Sequence, residues 1–293
     1  MDKWGGRIIE DAMRFVPVTV AAAILAGATL SSSRATPADG VVLAPHRAIY
    51  DLKLATSNGN RGLSGIQGRI LYDFSGSSCE GYELKFRQIS ELDSMESKDA
   101  LSDLTSTTWE DGAARKFRFS SENKIDQKTA DIVAGHAERK SDAVAVALQK
   151  PAEKSFRIPA EAVFPTEHMR KIIAAARAGK KVLDLIVYDG SETGEKLYNT
   201  LTVIGQPIPA GERQPAETAA KSPELGKLRR WPVTVSYFDR KESDRTGEQT
   251  PVYSINFELY ENGISRALRL NYPDFTISGD LTALEIRKAK PCR

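Results

Sequence analysis

Apolar side chains recur at every second position through most of this chain. The clearest runs are Ala48, Tyr50, Leu52 and Leu54 near the start, and Tyr253, Ile255, Phe257 and Leu259 near the end. A period of two places such side chains on one face of an extended strand, whereas a helix requires a period of about 3.6. The pattern therefore predicts a mainly β protein, in which antiparallel strands joined by hairpins add to one curved or spiralling sheet.

One segment in the middle of the chain has helical periodicity instead. Its apolar residues are Met169, Ile172, Ile173 and Ala176. Thr166 is suited to cap the start of a helix and Gly179 to end it. We expect an amphipathic helix from about Thr166 to Ala178 that packs this stripe on the sheet, either as a lid over a groove or as part of the core.

The N-terminal segment has the three zones of a secretory signal. Basic residues precede an apolar run from Phe15 to Leu30, and small and polar residues follow it. The run is about 16 residues long, shorter than the roughly 20 residues that span a bilayer. We expect residues 1–35 to be a cleaved signal peptide. Residues 36–293 then form a single β domain in the periplasm, with no membrane span after cleavage.

Charge and composition narrow the class of partner. The chain has 41 Lys and Arg residues against 39 Asp and Glu residues, a net charge of +2. Like charges form only short pairs, so we expect no nucleic-acid partner. The stretch from about 206 to 224 is rich in Pro, Ala, Glu and Lys without periodicity, which predicts a flexible surface insertion. A linker between two strand-rich halves is the alternative.

Cys79 and Cys292 are the two cysteines of the chain. In an oxidising compartment an even number of cysteines is typical of a disulfide, and the Cys-x-x-Cys spacing of redox-active pairs is absent from the sequence. A bridge between them closes a very long loop, for which chain entropy predicts a stabilisation of roughly 5 kcal/mol. We expect a structural disulfide.

The sequence offers little for catalysis. It lacks the motifs of serine nucleophiles and phosphate loops, and its three histidines, His46, His136 and His168, lack metal-ligand spacing. We expect His46 at a strand edge or loop, and His168 on the surface or packed under the helix. Glu110 and Asp111 fall at a predicted turn, where carboxylates serve turn formation. The sequence predicts no catalytic site, metal or cofactor.

Aromatic residues are the strongest candidates for a binding surface. Those that alternate in phase with the strands and are largest are Trp109, Trp231, Tyr72, Phe86, Tyr237 and Phe257. A concave sheet lined by such rings can hold an acyl chain, and a packed core is the alternative interpretation.

Several strings resemble the EipB family of periplasmic cell-envelope integrity proteins. They are Ala44–Leu52, Tyr72–Tyr82, Phe86–Gln88, Thr107–Gly112, Phe164–His168 and Tyr272–Phe275 with the following chain to Cys292. The resemblance implies a monomeric β-spiral with a few helices, a disulfide equivalent to Cys79 with Cys292, and a role under envelope stress. No catalytic activity is attached to the family, and its fold is similar in outline to periplasmic lipoprotein carriers.

Two hypotheses of function follow. The first is a non-enzymatic protein that maintains envelope integrity by binding a lipid, a lipoprotein or a periplasmic protein partner. The second is a hydrolase that acts on an envelope polymer. A deep apolar groove favours the first, whereas a polar cleft with two carboxylates about 5 to 9 Å apart favours the second.

Overall fold

The structure is a computed structural model that describes residues 40–57, 63–94, 99–243 and 249–289. The strands are β1 (His46–Ser57), β2 (Leu63–Ser77), β3 (Gly81–Ser94), β4 (Ala100–Glu110), β5 (Lys116–Ile125), β6 (Lys128–Arg139), β7 (Ala143–Lys150), β8 (Lys154–Pro159), β9 (Val182–Val187), β10 (Tyr198–Ile204), β11 (Arg230–Asp239), β12 (Tyr253–Tyr260), β13 (Ser265–Asn271) and β14 (Phe275–Ile286). The α-helices are α1 (Pro165–Arg177), α2 (Pro223–Gly226) and α3 (Arg240–Ser243). None of the helices in the described ranges is long and apolar enough to cross a membrane.

Within the described ranges, the strands form one antiparallel sheet of 14 strands. Its order is β8-β7-β6-β5-β4-β3-β2-β1-β14-β13-β12-β11-β10-β9, so most strands pair with their neighbours in sequence. The exception is the pair β1 and β14, which joins the two ends of the described chain near the middle of the sheet. The prediction of a mainly antiparallel, curved sheet is confirmed.

Two consecutive strands, β8 and β9, lie at opposite edges of this sheet. The chain between them contains α1. Val163, just before α1, forms a parallel bridge with Val187 at the end of β9. The chain that leaves the β8 edge is thus bound to β9 at the opposite edge. The two edges are brought together in this way, and the open sheet curls around α1.

Burial follows the predicted alternation along β1. Ala48, Tyr50 and Leu52 are buried, while Arg47 and Lys53 on the opposite face are exposed. Burying a large apolar side chain stabilises the fold by about 1.5–3 kcal/mol. The alternation therefore fixes which face of the sheet turns inward, because a shift of one residue would expose the whole apolar set.

Helix α1 packs on the inner face of the sheet, which confirms the predicted packing of an amphipathic helix. Ile172, Ile173, Ala175 and Ala176 are buried in a cluster that includes Phe74, Trp231, Val233 and Val235 from the sheet. The helix begins at Pro165 and ends at Arg177, one residue earlier at each end than predicted. Proline suits this first position, where its missing N–H leaves no hydrogen bond unmade.

The segment 206–224 lies between β10 and β11 and contacts the sheet. Its flexibility stays a prediction. It contains a 3₁₀ helix (Thr218–Lys221), and it buries Ala220, while Leu225 of the adjoining α2 is also buried. Arg266 of β13 donates a hydrogen bond from Nε to Oε2 of Glu217, at 2.6 Å. These contacts hold the insertion against the sheet, and a composition cannot reveal contacts with distant strands.

Candidate functional site

The inner face of the sheet and the N-terminal half of α1 enclose a cavity of about 360 Å³. Its wall is mostly apolar and aromatic, and includes Ile70, Phe74, Leu84, Val235, Ile255, Leu268 and Leu270 from the strands with Met169 and Ile172 from α1. Small-molecule sites are typically concave, largely apolar and roughly 300–1,000 Å³ in volume. The cavity therefore has the size and chemistry of a site for a small apolar group.

Four of the six aromatic residues proposed from the sequence line this cavity: Tyr72, Phe86, Tyr237 and Phe257. Tyr72 on β2 and Phe86 on β3 are direct cross-strand partners. Tyr237 and Phe257 lie on β11 and β12, in the other half of the sheet. Strands that are distant in sequence thus bring these four rings to one space, and their contact with a ligand remains a prediction.

The two tryptophans proposed for the same surface lie elsewhere. Trp231 is 1% exposed and packs in the core cluster around α1, outside the cavity wall. Trp109 is opposite Arg118 on the neighbouring strand, whose guanidinium lies 4.3 Å from the centroid of the Trp109 ring. Neither tryptophan is therefore part of this cavity wall. Trp109 faces away from it because its chain neighbours Thr108 and Glu110 turn inward.

One acidic side chain, Asp189, lines the cavity just after β9. Its Oδ1 accepts a hydrogen bond from the Ser191 backbone N–H at 2.9 Å. Burial raises the pKa of Asp189 above its ordinary value, although the bonds from Ser191 act in the opposite direction. The negative charge of Asp189 contributes, after burial, to raising the pKa of the nearby Tyr237 hydroxyl. Asp189 is a polar group that the sequence analysis did not single out.

Two histidines also line the cavity. His168 is 5% exposed and edge-on to Tyr237, with ring centroids 6.5 Å apart. Burial lowers the pKa of His168 to about 4, and its Nε2 has no hydrogen-bond partner within the described residues. His46 stacks on Tyr72 at 5.4 Å, and burial lowers its pKa also. His46 is therefore a buried residue of β1, not the edge or loop residue that we expected.

Glu110 holds the start of α1 in place. Its two carboxylate oxygens accept hydrogen bonds from the backbone N–H groups of Thr166 and Glu167, each at 2.8 Å. The residue that precedes the helix, Phe164, provides no side-chain cap. Glu110 is 2% exposed, and burial raises its pKa to about 8 even though the two N–H bonds lower it. The predicted turn begins one residue later, so Glu110 serves the helix and not the turn.

The predicted disulfide is only half within the described residues, because Cys292 lies outside them. The nearest described anchor of the C-terminal end is Arg287, whose Nη1 lies 2.7 Å from Oδ1 of Asp73 on β2. Cys79 is in the turn that follows β2. The bridge stays a prediction.

A curled, open antiparallel sheet that wraps a helix and an apolar cavity defines a class of barrel-like β proteins. Within that class, this chain belongs to the EipB-like family, whose model matches residues 37–288. The family resemblance of its sequence strings is thus confirmed.

A relative and a solved structure that are similar to this chain both come from Brucella abortus. The chain is 37% identical to the cell envelope integrity protein EipB of strain 2308 over 282 residues, which cover 94% of this chain and 96% of that protein. It also resembles a crystal structure described as a beta-barrel-like protein of domain of unknown function DUF1849, with a TM-score of 0.76 and 36% identity. That similarity covers 85% of this chain and 100% of the solved one.

Proposed function

We propose that this protein is a periplasmic binding protein that maintains the cell envelope by holding an apolar group of a lipid or lipoprotein in the cavity beside α1. The observation that carries the proposal is the apolar cavity lined by Tyr72, Phe86, Tyr237 and Phe257. The name of the relative EipB, a cell envelope integrity protein, supports the envelope as the place of action. Removal of residues 1–35 as a signal peptide and action as a monomer are parts of the same proposal.

The chemistry of the wall favours binding over turnover. Among the described residues that line the cavity, the only carboxyl group is that of Asp189. A glycosidase requires two carboxyl groups, about 5 to 9.5 Å apart, that act as acid and base or nucleophile. Glu110, the other strongly buried carboxyl near α1, is occupied by two backbone N–H groups of the helix. Within the described ranges no three His, Cys, Asp or Glu side chains are grouped to hold a metal ion.

Uptake of a fluorescent acyl probe tests the proposal. We expect the purified protein to bind the probe with a negative heat-capacity change, because apolar surface is removed from water. Phe86→Ala should weaken binding by roughly tenfold, since the ring contributes to the cavity wall. The matched control is Phe238→Ala, because Phe238 lies next to Tyr237 on β11 but lines a different surface.

Two results would contradict the proposal. Failure to bind any acyl probe, by a folded protein, would remove the lipid version and leave a scaffold for a protein partner, with the edge strands β8 and β9 as the next surfaces to test. Hydrolysis of peptidoglycan or lipid esters by the purified protein would establish the hydrolase hypothesis instead.

A further inference from the structure

The cavity wall contains no lysine or arginine among the described residues that form it. Besides tyrosines, its ionisable groups are Asp189, His46 and His168. Burial lowers the pKa of both histidines, so both are neutral at physiological pH. Asp189 can be only neutral or negative. The interior therefore has no positive charge with which to neutralise an anion.

Because the described residues of the cavity wall offer no cation, the charged end of a lipid is disfavoured inside the cavity and the uncharged end is not. A carboxylate or phosphate moved from water into an apolar site is strongly disfavoured unless an opposite charge or several hydrogen-bond donors compensate. A neighbouring carboxyl group offers no compensating charge, and it adds repulsion when it is ionised. An esterified acyl chain has no such charge, and its carbonyl oxygen needs at most a neutral donor. Gln88, Thr108 and Tyr237 provide neutral hydrogen-bonding groups in the wall.

We infer that the cavity takes the uncharged, esterified acyl chains of an envelope lipid and discriminates against free fatty acids. This inference rests on the proposed function and specifies its ligand. Membrane phospholipids and the lipid anchors of lipoproteins both contain such chains, so the shared chemistry defines the ligand class.

Decanoate and methyl decanoate provide a pair with the same acyl chain, in which a charged carboxylate is exchanged for an uncharged methyl ester. Each is titrated at pH 8 against a neutral fluorescent acyl probe bound to the full protein. We expect the ester to displace the probe at a concentration roughly tenfold or more lower than the carboxylate. Equal or tighter binding of decanoate would overturn the inference while leaving the proposed function intact. If the protein binds neither decanoate, nor methyl decanoate, nor the probe, both the inference and the proposed function are overturned.

A charge introduced into the wall should reverse the preference. Gln88→Arg places a permanent cation in the cavity, and we expect it to raise the affinity for decanoate by roughly tenfold relative to the ester. Gln67→Arg is the matched control, because Gln67 is exposed on β2. Should Gln88→Arg fail to fold, Thr108→Lys places a cation at another position of the wall and should shift the preference in the same direction. Thr107→Lys, at the neighbouring exposed position of β4, should not. An unchanged ratio in the folded cavity variants would contradict the inference.

Two natural lipid types then distinguish the source of the chain. A diacyl phosphatidylethanolamine and a synthetic triacylated lipopeptide are each tested as competitors of the same probe. Competition by the first alone assigns a membrane lipid, and competition by the second alone assigns a lipoprotein anchor. Competition by neither, when methyl decanoate does bind, would overturn the assignment to esterified envelope lipids.

Discussion

Glu110 is a carboxyl group whose environment makes the stability of the fold depend on pH. Its pKa is raised to about 8 in the folded protein, against an ordinary value of 4.5. The unfolded chain therefore loses this proton at lower pH than the folded one. Because the pKa is higher in the folded protein, the protonated carboxyl group favours the folded state. This contribution to stability is complete below about pH 4.5 and is lost as the pH rises toward 8.

We predict that replacing Glu110 by Gln flattens this dependence. In the native protein, the contribution of Glu110 to the free energy of unfolding should fall by a few kcal/mol between pH 5 and pH 8. The amide of the Glu110→Gln variant cannot ionise, although it offers only one acceptor oxygen to two N–H groups and should cost about 1–2 kcal/mol at pH 5. Urea unfolding at both pH values measures the difference. The control is Glu91→Gln, at an exposed position of β3. If the free energy of unfolding changed equally with pH in both variants, the prediction would be contradicted.

The face to which a site residue points could be predicted from the sequence where the alternation of side chains along a strand determines it. Tyr72, Phe86, Tyr237 and Phe257 face the cavity as their alternation indicates. Size and phase together put Trp109 and Trp231 forward from the sequence. Trp109 directly precedes Glu110, whose side chain turns inward, so the ring of Trp109 points to the opposite face of the strand. The roles of Glu110 and Asp189 were not predictable, because each depends on contacts with elements that are distant in sequence.

Helix α1 combines two roles along its length. Its N-terminal residues His168 and Met169 line the cavity, whereas Ile173 is fully buried. Ile173→Asp should lower the free energy of unfolding by about 3–5 kcal/mol, because it removes apolar contacts and buries an unpaired charge. Ile132→Asp, at a position that is 40% exposed on β6, is the matched control. Chemical denaturation measures both, and equal losses would contradict the assignment of Ile173 to the core.

Hydrogen exchange separates a lid from a core helix. We expect the amides of α1 to exchange as slowly as those of the central strands, because Ile172, Ile173 and Ala176 pack in the main core cluster. Fast exchange confined to α1 would indicate a mobile lid over the cavity instead.

Helix α1 and the segment 206–224 show which structural features the local sequence does not predict. The helical period and its end at Arg177 were close to the prediction because both depend on neighbouring residues. The cap of α1 comes from Glu110, which lies 56 residues before Thr166. The packing of segment 206–224 likewise depends on the pair of Glu217 with Arg266, separated by 49 residues. Composition alone indicated a flexible segment because such partners leave no local pattern.

At the scale of the whole molecule, the predicted disulfide would fasten the chain end to the centre of the sheet. We expect Cys79→Ser and Cys292→Ser each to lower the thermal unfolding temperature, with a loss of at most about 5 kcal/mol in the loop-entropy model. The protein should still fold, because its core is large. The double variant should have the same unfolding temperature as the single variants. A reductant should lower the unfolding temperature of the native protein only. Two free thiols in oxidised native protein would contradict the bridge.

The fold class was predictable because alternation of apolar residues recurs in strand after strand. Hairpins between sequence neighbours account for β1 through β8 and for β9 through β14. The pairing of β1 with β14 and the curl around α1 are non-local, so the position of the cavity could not be derived from the strand pattern alone.

The pairing of β1 with β14 also constrains how the protein is made. Polypeptides are synthesised from the N-terminus, and β14 is the last of the described strands in chain order. One edge of β1, the first described strand, therefore stays without its partner until the last described strand has been synthesised. An unpaired strand edge is prone to join another chain. Truncation before β14 should consequently yield aggregated material, and a chaperone that shields this edge during synthesis should raise the yield of folded protein.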